Sequence, residues 1–398
     1  MSQIISDRLN RLSESQTIAM ARRSRELKAQ GVDVISLSLG EPDFNTPAFI
    51  KDAAKKALDE NFTSYTAVSG YQELREAICH KLKRDNGLDY TPNQIVSSTG
   101  AKQSLANVLL AMINPGDEVV LLAPYWVSYL EMVKLAEGTP VVVSGGVETD
   151  FKVTPEQIEA AITNKTRVIM FNSPSNPTGS VYSKNEMDAL AAMLEKHPDV
   201  YIISDEIYEH INFTDGHVSF ASYSALYDRV ITVNGLSKGF AMTGWRFGYI
   251  AAPEWIAKAC DKMQGQMTSA TCSITQKAAE AAMMADRSVT FEMRDAFKSR
   301  RDKIRTLLNE VPGFITNVPD GAFYFFPDVS SLFGKKAGDQ TIENATDLSL
   351  YLLDVAHVAT VPGDAFGAPK CLRLSYAASE DVLTEAVRRI KSAIEALS

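Results

Sequence analysis

The sequence has little that suits a metal, a membrane or a nucleic acid. Its four cysteines form no Cys-x-x-Cys pair and are spaced too widely for a zinc site, so we expect reduced thiols and no metal. No run of about 18 apolar residues is present, which predicts no transmembrane helix. A net charge of −9 disfavours nucleic acid and anionic membrane surfaces as partners.

Two further absences narrow the range of functions. Residues 1–25 contain no apolar stretch of the kind that a signal peptide needs, which together with the cysteine usage predicts a cytoplasmic protein. No Gly-x-Gly-x-x-Gly motif follows a strand, and residues 99–104 lack the glycine spacing of a P-loop. Nicotinamide chemistry is therefore disfavoured.

The chain does show a regular alternation of apolar segments and helical patterns. Strands are predicted at 32–39, 95–98, 118–122, 140–144, 167–172, 200–204 and 230–233. Helices are predicted at 15–30, 47–60, 71–86, 101–113, 126–137, 155–162 and 184–196. Continuous apolar strands separated by helices indicate an α/β fold with a parallel sheet covered on both faces.

The pattern changes at about residue 290. A charged helix over 291–310 precedes a β-rich stretch over 313–327, and a last strand is predicted over 371–375. This part predicts a smaller α+β domain. In the larger part, Asn172, Asp205 and Lys238 are predicted just past strand ends, which is where parallel sheets carry their catalytic groups.

The segment from Ser237 to Arg246 carries the strongest chemical signal. Lys238 stands among small and apolar residues, where lost hydration lowers an amine's pKa and frees it to form Schiff bases with aldehydes such as pyridoxal phosphate. Arg246 can bind a phosphate with two parallel hydrogen bonds, and the Ser237 hydroxyl precedes the lysine. The alternative is an ordinary surface lysine and an ion-paired arginine.

Two loops after apolar strands fit the same chemistry. Asn176, in a loop rich in turn formers, can donate a hydrogen bond to a phenolic oxygen. Asp205 can pair with a protonated pyridine nitrogen, which keeps the ring a good electron acceptor, and Tyr208 can reach the ring's 3-oxygen. A simple tight turn and a solvated acidic turn are the alternatives.

Together these motifs resemble the class I aminotransferases of the fold-type-I pyridoxal phosphate enzymes, and among them bacterial aspartate aminotransferases. The resemblance covers almost the whole chain. Its motifs are residues 37–44, Tyr65 with Gly70 and 73–75, then 99–103, 124–129, 176–179, 205–208, 237–246, 321–324 and 373–376. It implies a mostly parallel seven-stranded sheet between helices in a large domain over 46–290. A small α+β domain over 291–398 would be joined by an N-terminal segment over 1–45.

The resemblance implies a role for each candidate residue at the cofactor. Lys238 would hold pyridoxal phosphate as a Schiff base and then act as the proton shuttle. Asp205 would pair with the pyridine nitrogen, and Asn176 and Tyr208 would contact the 3-oxygen. Trp126 would stack on the ring.

A phosphate site and a homodimer are implied as well. The phosphate would be bound at a helix N-terminus by Gly100, Ala101 and Lys102, with Ser237 and Arg246 completing the site. Tyr65 would reach the phosphate of the neighbouring subunit, which implies a homodimer with shared active sites. One departure from the family pattern is Gly235, at a position where some members carry a hydroxyl.

The substrate contacts decide which amino acid is used. Arg373 would bind the α-carboxylate, and Gly40, Trp126 and Asn176 would lie beside it. Residues 264–269 contain no arginine of the kind that binds the distal carboxylate in animal and enteric aspartate enzymes. In bacterial relatives a lysine takes that role, which Lys102 fits, and Ser15 and Thr17 match hydroxyl positions of the same group.

The resemblance therefore predicts ping-pong transamination between L-aspartate and 2-oxoglutarate, giving oxaloacetate and L-glutamate. Specificity for prephenate, an aromatic amino acid or alanine is the alternative within the class. A pyridoxal phosphate lyase on the same fold is the second alternative. A DNA-binding regulator built on this fold is disfavoured by the negative charge.

Overall fold

The computed structural model describes residues 5–398, and the first four residues of the predicted N-terminal segment lie outside that range. Its strands are β1 Ile35–Ser36, β2 Ile95–Ser98, β3 Glu118–Ala123, β4 Thr139–Ser144, β5 Thr166–Asn172, β6 Tyr201–Asp205, β7 Val230–Gly235, β8 Gly248–Ala251, β9 Tyr324–Phe325, β10 Lys336–Ala337, β11 Gln340–Thr341, β12 Val358–Ala359, β13 Val361–Pro362 and β14 Leu372–Ser375.

Eight of the α-helices in the described residues lie where the sequence predicted a helix, and five others had no predicted bounds. They are α1 Asp7–Asn10, α2 Gln16–Ala29, α3 Ala48–Asp59, α4 Gln72–Asn86, α5 Ala101–Met112, α6 Ser128–Leu135, α7 Pro155–Ala161, α8 Lys184–Glu195, α9 Glu254–Met267, α10 Ser273–Met284, α11 Phe291–Leu308, α12 Ala345–Val355 and α13 Glu380–Glu395. Their ends have local causes. Helix α8 begins with a capping box between Ser183 and Glu186, and α4 ends at Gly87, whose φ of +68° suits glycine.

Seven strands form the central sheet, in the order β2-β8-β7-β6-β5-β3-β4. Six of them run in the same direction, and β8 is antiparallel to both of its neighbours. The predicted mostly parallel seven-stranded α/β sheet is thus confirmed. The strand patterns revealed six of these strands; β8 was missed because its four residues follow a segment that we interpreted only for its chemistry.

Alternating side chains of the strands build a core on each face of the sheet. Val120, Ile169 and Ile202 belong to one cluster of buried residues, whereas Val119 and Ile203 belong to the other. Each cluster is covered by helices, which explains why the strands are continuously apolar. No helix among residues 5–398 is both long and apolar enough to cross a membrane.

The C-terminal part is built around a three-stranded antiparallel sheet, β13-β14-β9, with its own buried cluster that includes Phe297, Phe323 and Ile390. The N-terminal segment joins this part, because β1 pairs with β12 in parallel. The division into domains at residues 46 and 290 stays a prediction.

Three predictions about strands need correction. The strand expected over 32–39 is only β1, because the pairing with β12 ends at Leu37 and the next carbonyl oxygens, of Ser38 and Gly40, face side chains of the candidate site. The stretch over 313–327 contains only β9 and isolated bridges, since its backbone also bonds to loops of the larger part. Asn172 and Asp205 are the last residues of β5 and β6 and do not lie past their ends.

Close backbone packing sets the first residue of β8 against the start of α5. A Cβ atom at Gly248 would lie 2.6 Å from the carbonyl carbon of Gly100 and 2.7 Å from the Cα of Ala101. These are backbone atoms at the start of a helix, so a side chain could not be accommodated by a simple rotation.

We predict that Gly248→Ala destabilises the protein by about 1–3 kcal/mol, the usual range for overpacking. The control is Gly216→Ala, because no atom lies within 4 Å of the added methyl group. Urea unfolding of both variants measures the difference. Equal midpoints for the two variants would contradict this packing.

Candidate active site

A cavity of about 250 Å³ opens at the carboxyl ends of β5 and β6. Thirteen of the residues that the sequence predicted for the site line it: Ser15, Thr17, Gly40, Ala101, Lys102, Trp126, Asn176, Asp205, Tyr208, Ser237, Lys238, Arg246 and Arg373. They come from both parts of the chain and from the N-terminal segment. Two predicted residues, Gly100 and Tyr65, are not among the lining residues.

Gly100 lies directly behind the cavity wall. It precedes α5 with a φ of +86°, and a Cβ atom there would lie 3.0 Å from the Cζ atom of Arg246. Glycine is therefore needed both for the backbone conformation and for the position of the arginine. Tyr65 is fully exposed on the loop between α3 and α4, away from the cavity of its own chain.

Lys238 lies three residues beyond β7 and is largely buried. Its Nζ atom donates a hydrogen bond to the carbonyl oxygen of Gly40 at 2.5 Å. Loss of hydration is the main reason why the pKa of this amine falls from 10.5 to about 8. The charge of Glu41 opposes the shift. A substantial neutral fraction, which is the nucleophilic form, therefore exists near neutral pH.

Asp205 is the acidic residue of the cavity. Its Oδ2 atom accepts a hydrogen bond from the Tyr129 hydroxyl at 2.7 Å, and its Oδ1 atom accepts one from the Ile207 backbone at 3.2 Å. Burial raises the pKa of the carboxyl to about 6, although these hydrogen bonds lower it. A cationic ring nitrogen placed against this carboxyl would favour its charged form.

Arg373 is 2% exposed, and no carboxylate of the described residues pairs with it. Its Nη1 atom donates to the Asn176 side-chain oxygen at 3.0 Å, and its Nη2 atom donates to the Ser38 carbonyl at 2.6 Å. The guanidinium also lies 4.7 Å from the centre of the Tyr324 ring. Its Nε atom is buried and has no hydrogen-bond partner among the described residues. A buried donor without an acceptor is what a carboxylate ligand would satisfy.

Tyr208 and Tyr324 share a hydrogen bond of 2.8 Å between their hydroxyls. Burial raises the pKa of the Tyr208 hydroxyl well above its usual value, so this group stays protonated and can donate. Tyr324 also packs against Gly40, where a Cβ atom would clash with the phenol ring. This contact requires glycine at position 40, whereas its predicted place beside the substrate stays a prediction.

Lys102 and Arg246 provide two more cations. The Nζ atom of Lys102 lies 4.9 Å from the centre of the Trp126 ring, and desolvation together with the charge of Arg246 lowers the pKa of this lysine. Arg246 donates to the Thr243 carbonyl at 2.9 Å. Among residues 5–398, no carboxylate lies within ion-pair distance of Lys102, Arg246, Lys238 or Arg373.

This donor set fits pyridoxal phosphate. Two arginines without acidic partners suit a phosphate and a carboxylate, and the helix N-terminus at Ala101 adds backbone donors. Trp126 offers an aromatic surface, and Asp205 offers a carboxylate for a ring nitrogen. Among residues 5–398, no group of His, Cys, Asp and Glu is arranged to hold a metal ion.

The sequence reasoning assigned no role to three residues of the site. Tyr129 orients Asp205, and Tyr324 orients Tyr208. Asn172 donates to the backbone oxygen of Asp205 at 2.8 Å and accepts from the backbone nitrogen of Asn176 at 2.9 Å. Tyr129 and Tyr324 stand within motifs that were recognised, and Asn172 was predicted only to lie at a strand end. The fold alone shows which way the three side chains point.

The departure at Gly235 also has a structural reason. A Cβ atom there would lie 2.7 Å from the Phe247 carbonyl oxygen and 3.0 Å from the Cα of Gly248. The close approach of β7 and β8 therefore leaves no room for a hydroxyl side chain at this position.

Comparison with known proteins agrees with this geometry. The family described as Aminotransferase class I and II matches residues 32–390. The chain is 49% identical over 397 residues to the aspartate/prephenate aminotransferase of Cereibacter sphaeroides, with 99% of each chain covered. It is 46% identical over 392 residues to that of Nitrosomonas europaea, covering 98% of this chain and 99% of the relative.

Solved structures show the same fold. The aspartate aminotransferase from Rhizobium meliloti has a TM-score of 0.96 at 41% identity, with 100% of both chains covered. The aspartate aminotransferase from Thermus thermophilus with maleate has a TM-score of 0.92 at 40% identity, covering 98% of this chain and 100% of that one.

The lowered pKa of Lys238 predicts its reactivity in the cofactor-free protein. Only the neutral amine reacts with acetic anhydride, so its acetylation rate should rise with pH and level off above about 8. Mass spectrometry of the Lys238 peptide measures the rate, with a free lysine derivative in the same solution as reference. A profile that keeps rising in parallel with the reference to pH 10 would contradict the shift.

Proposed function

Since this chain belongs to the class I and II aminotransferases, which use pyridoxal phosphate, we propose that it transfers the amino group of L-aspartate to 2-oxoglutarate. The products are oxaloacetate and L-glutamate. The two half-reactions follow a ping-pong order, because one cavity serves both the amino acid and the 2-oxo acid.

The observation that carries this proposal is that the cationic side chains lining the cavity pair with no carboxylate of the described residues. Arg373 has a buried Nε atom without a partner, and Lys102 is a second cation without a carboxylate. A substrate with two carboxylates satisfies both, whereas alanine or phenylalanine satisfies only one. The solved relative from Thermus thermophilus is described with maleate, a four-carbon dicarboxylate, which supports the same substrate class.

Pyridoxal phosphate, when bound, supplies an aldehyde carbon that condenses with amines and a ring that accepts electrons. We assign its phosphate to the α5 N-terminus at Gly100 and Ala101, and to Ser237 and Arg246. These groups would hold the cofactor by charge and by directed hydrogen bonds, in the cavity that Lys238 also lines.

Lys238 has two roles in this proposal. Its amine would hold the resting cofactor, and once free, the Nζ atom would take the proton from the substrate Cα. The lowered pKa leaves about a tenth of the amine neutral, and therefore basic, at pH 7, which is far more than for an ordinary lysine. The same atom later returns the proton, so no second base is needed.

Asp205 keeps the ring nitrogen protonated, and its carboxylate is held in place by the Tyr129 hydroxyl. The Tyr208 hydroxyl and the Asn176 side-chain amide would both contact the ring's 3-oxygen. Arg373 orients the α-carboxylate with two parallel hydrogen bonds, which fixes the Cα–H bond relative to Lys238. Trp126 packs against the ring and excludes water.

We further propose a homodimer with shared active sites. Tyr65 is large, aromatic and fully exposed, yet it lies in a loop that is firmly bonded to the rest of its chain. An exposed aromatic side chain on an ordered loop suits insertion into a neighbour. In this arrangement Tyr65 contacts the phosphate bound by the other subunit.

Prephenate is a second candidate for the amino acceptor. Two relatives that match over nearly the full chain carry the name aspartate/prephenate aminotransferase. Prephenate also has two carboxylates, so it makes the same demand on Arg373 and Lys102 as the four-carbon substrates do.

A half-reaction without an acceptor tests the function. The holoenzyme is mixed separately with aspartate, glutamate, phenylalanine and alanine, and the release of 2-oxo acid is measured together with ammonia. Prephenate, as an amino acceptor, is instead supplied to enzyme already loaded with the amino group, and its consumption is measured. One equivalent of 2-oxo acid without ammonia, fastest for the dicarboxylates, supports the proposal. Continued release of ammonia and pyruvate would instead identify a lyase.

Lys102→Ala tests the distal contact. We predict that kcat/KM for aspartate falls about 10- to 100-fold, as expected for the loss of a charge-assisted hydrogen bond, while kcat/KM for alanine changes little. Steady-state kinetics with both substrates measures the split. An equal loss for aspartate and alanine would assign Lys102 to the cofactor and not to the distal carboxylate.

A further inference from the structure

The loop that carries Tyr65 is anchored by two buried glutamines. We define the Tyr65 loop as residues 60–71, between α3 and α4, and the phosphate loop as residues 98–101, between β2 and the first residue of α5. Gln264 in α9 and Gln276 in α10 are both 0% exposed. Neither residue lines the cavity of the candidate active site.

Gln264 makes four hydrogen bonds, which exhaust the capacity of its amide. Its Nε2 atom donates to the Val68 carbonyl at 3.0 Å and to the Ser97 carbonyl at 2.9 Å. Its Oε1 atom accepts from the Ser98 hydroxyl at 2.8 Å and from the Asn107 amide at 3.0 Å. A flipped amide would place an oxygen against two carbonyl oxygens, so only one orientation is possible.

The four partners of Gln264 come from two separate parts of the chain. Val68 lies in the Tyr65 loop, whereas Ser98 begins the phosphate loop and Asn107 lies in α5 behind it. The contact between the two loops is reinforced by Ser97, whose backbone nitrogen and hydroxyl both donate to the Ser69 carbonyl at 3.0 Å. Gln264 is thus the side chain that bonds to both loops at once.

Gln276 bonds to the Tyr65 loop but to no residue of the phosphate loop. Its Oε1 atom accepts from the Tyr71 backbone at 2.8 Å, and its Nε2 atom donates to the Thr66 hydroxyl at 3.0 Å and to the Thr271 carbonyl at 2.8 Å. The two glutamines therefore form a natural comparison, since one anchors both loops and the other anchors only one.

We propose that Gln264 is a positioning residue that links the two active sites of the dimer, an inference that rests on the proposed role of Tyr65. Through Ser98 it holds the phosphate loop of its own site. Through Val68 it holds the loop that offers Tyr65 to the partner's site. The loop assigned to the cofactor phosphate of one site and the loop that carries Tyr65 to the other site are then both hydrogen-bonded to Gln264.

Hybrid dimers separate the effect of Gln264 on the active site of its own chain from its effect on the active site of the partner. One wild-type chain is paired, by means of two affinity tags, with a chain that carries Lys238→Ala. Borohydride reduction then traps the cofactor only on Lys238 of the wild-type chain, whose Tyr65 comes from the altered chain. The trapped fraction at graded pyridoxal phosphate concentrations gives the dissociation constant of that one site.

We predict that adding Tyr65→Phe, Gln264→Met or Gln276→Met to the Lys238→Ala chain weakens cofactor binding across the interface about tenfold, the scale of one or two lost hydrogen bonds. When the substitution is placed instead in the chain that keeps Lys238, Gln264→Met should again weaken cofactor binding at that chain's site, whereas Gln276→Met should leave it unchanged. Ser98→Ala should act only in the chain that keeps Lys238.

The outcomes distinguish this inference from the proposed function. No effect of Tyr65→Phe across the interface would overturn both the shared site and the link. An effect of Tyr65→Phe with none from Gln264→Met would overturn the link alone. If the Gln264→Met chain does not assemble, Gln264→Glu takes its place. Glutamate keeps the acceptor for the Ser98 hydroxyl but loses the donations to the Val68 and Ser97 carbonyls. Unchanged cofactor binding across the interface in this variant would likewise overturn the link.

Discussion

Four cations line one cavity that has a single acidic side chain among its lining residues, and two of these cations, Lys238 and Arg373, are largely buried. A buried charge without a partner is expensive. Arg373 is satisfied by a neutral amide oxygen, a carbonyl and an aromatic face, and Lys238 by a carbonyl and by a lowered pKa. Neutral partners leave the positive charge available to anionic ligands.

This choice of partners suits the proposed ligands, which bring a phosphate and two carboxylates to one site. A carboxylate partner would compete with each ligand, whereas a carbonyl can orient a guanidinium without neutralising it. The N-terminal segment contributes in this way, because the carbonyl oxygens of Ser38 and Gly40 accept from Arg373 and Lys238. The pairing of β1 with β12 brings that segment to the cavity.

Much of the site could be predicted from the sequence because its chemistry depends on residue types at strand ends. Lys238, Asp205 and Asn176 were recognised since each has an unusual neighbourhood along the chain. The orientation of Tyr129 toward Asp205 and of Tyr324 toward Tyr208 depends on packing between distant elements, which no local pattern contains. Gln264 was likewise overlooked as a positioning residue, because a single glutamine in a helix gives no signal until its four partners are brought together by the fold.

The central claim is that Lys238, among all lysines of the chain, carries the cofactor. The holoenzyme is reduced with borohydride, digested and analysed by mass spectrometry for the pyridoxyl phosphate group. The account predicts that the label lies on Lys238 and that Lys238→Ala abolishes it, while Lys102→Ala retains it. A label on Lys102, or stoichiometric labelling that survives Lys238→Ala, would contradict the account.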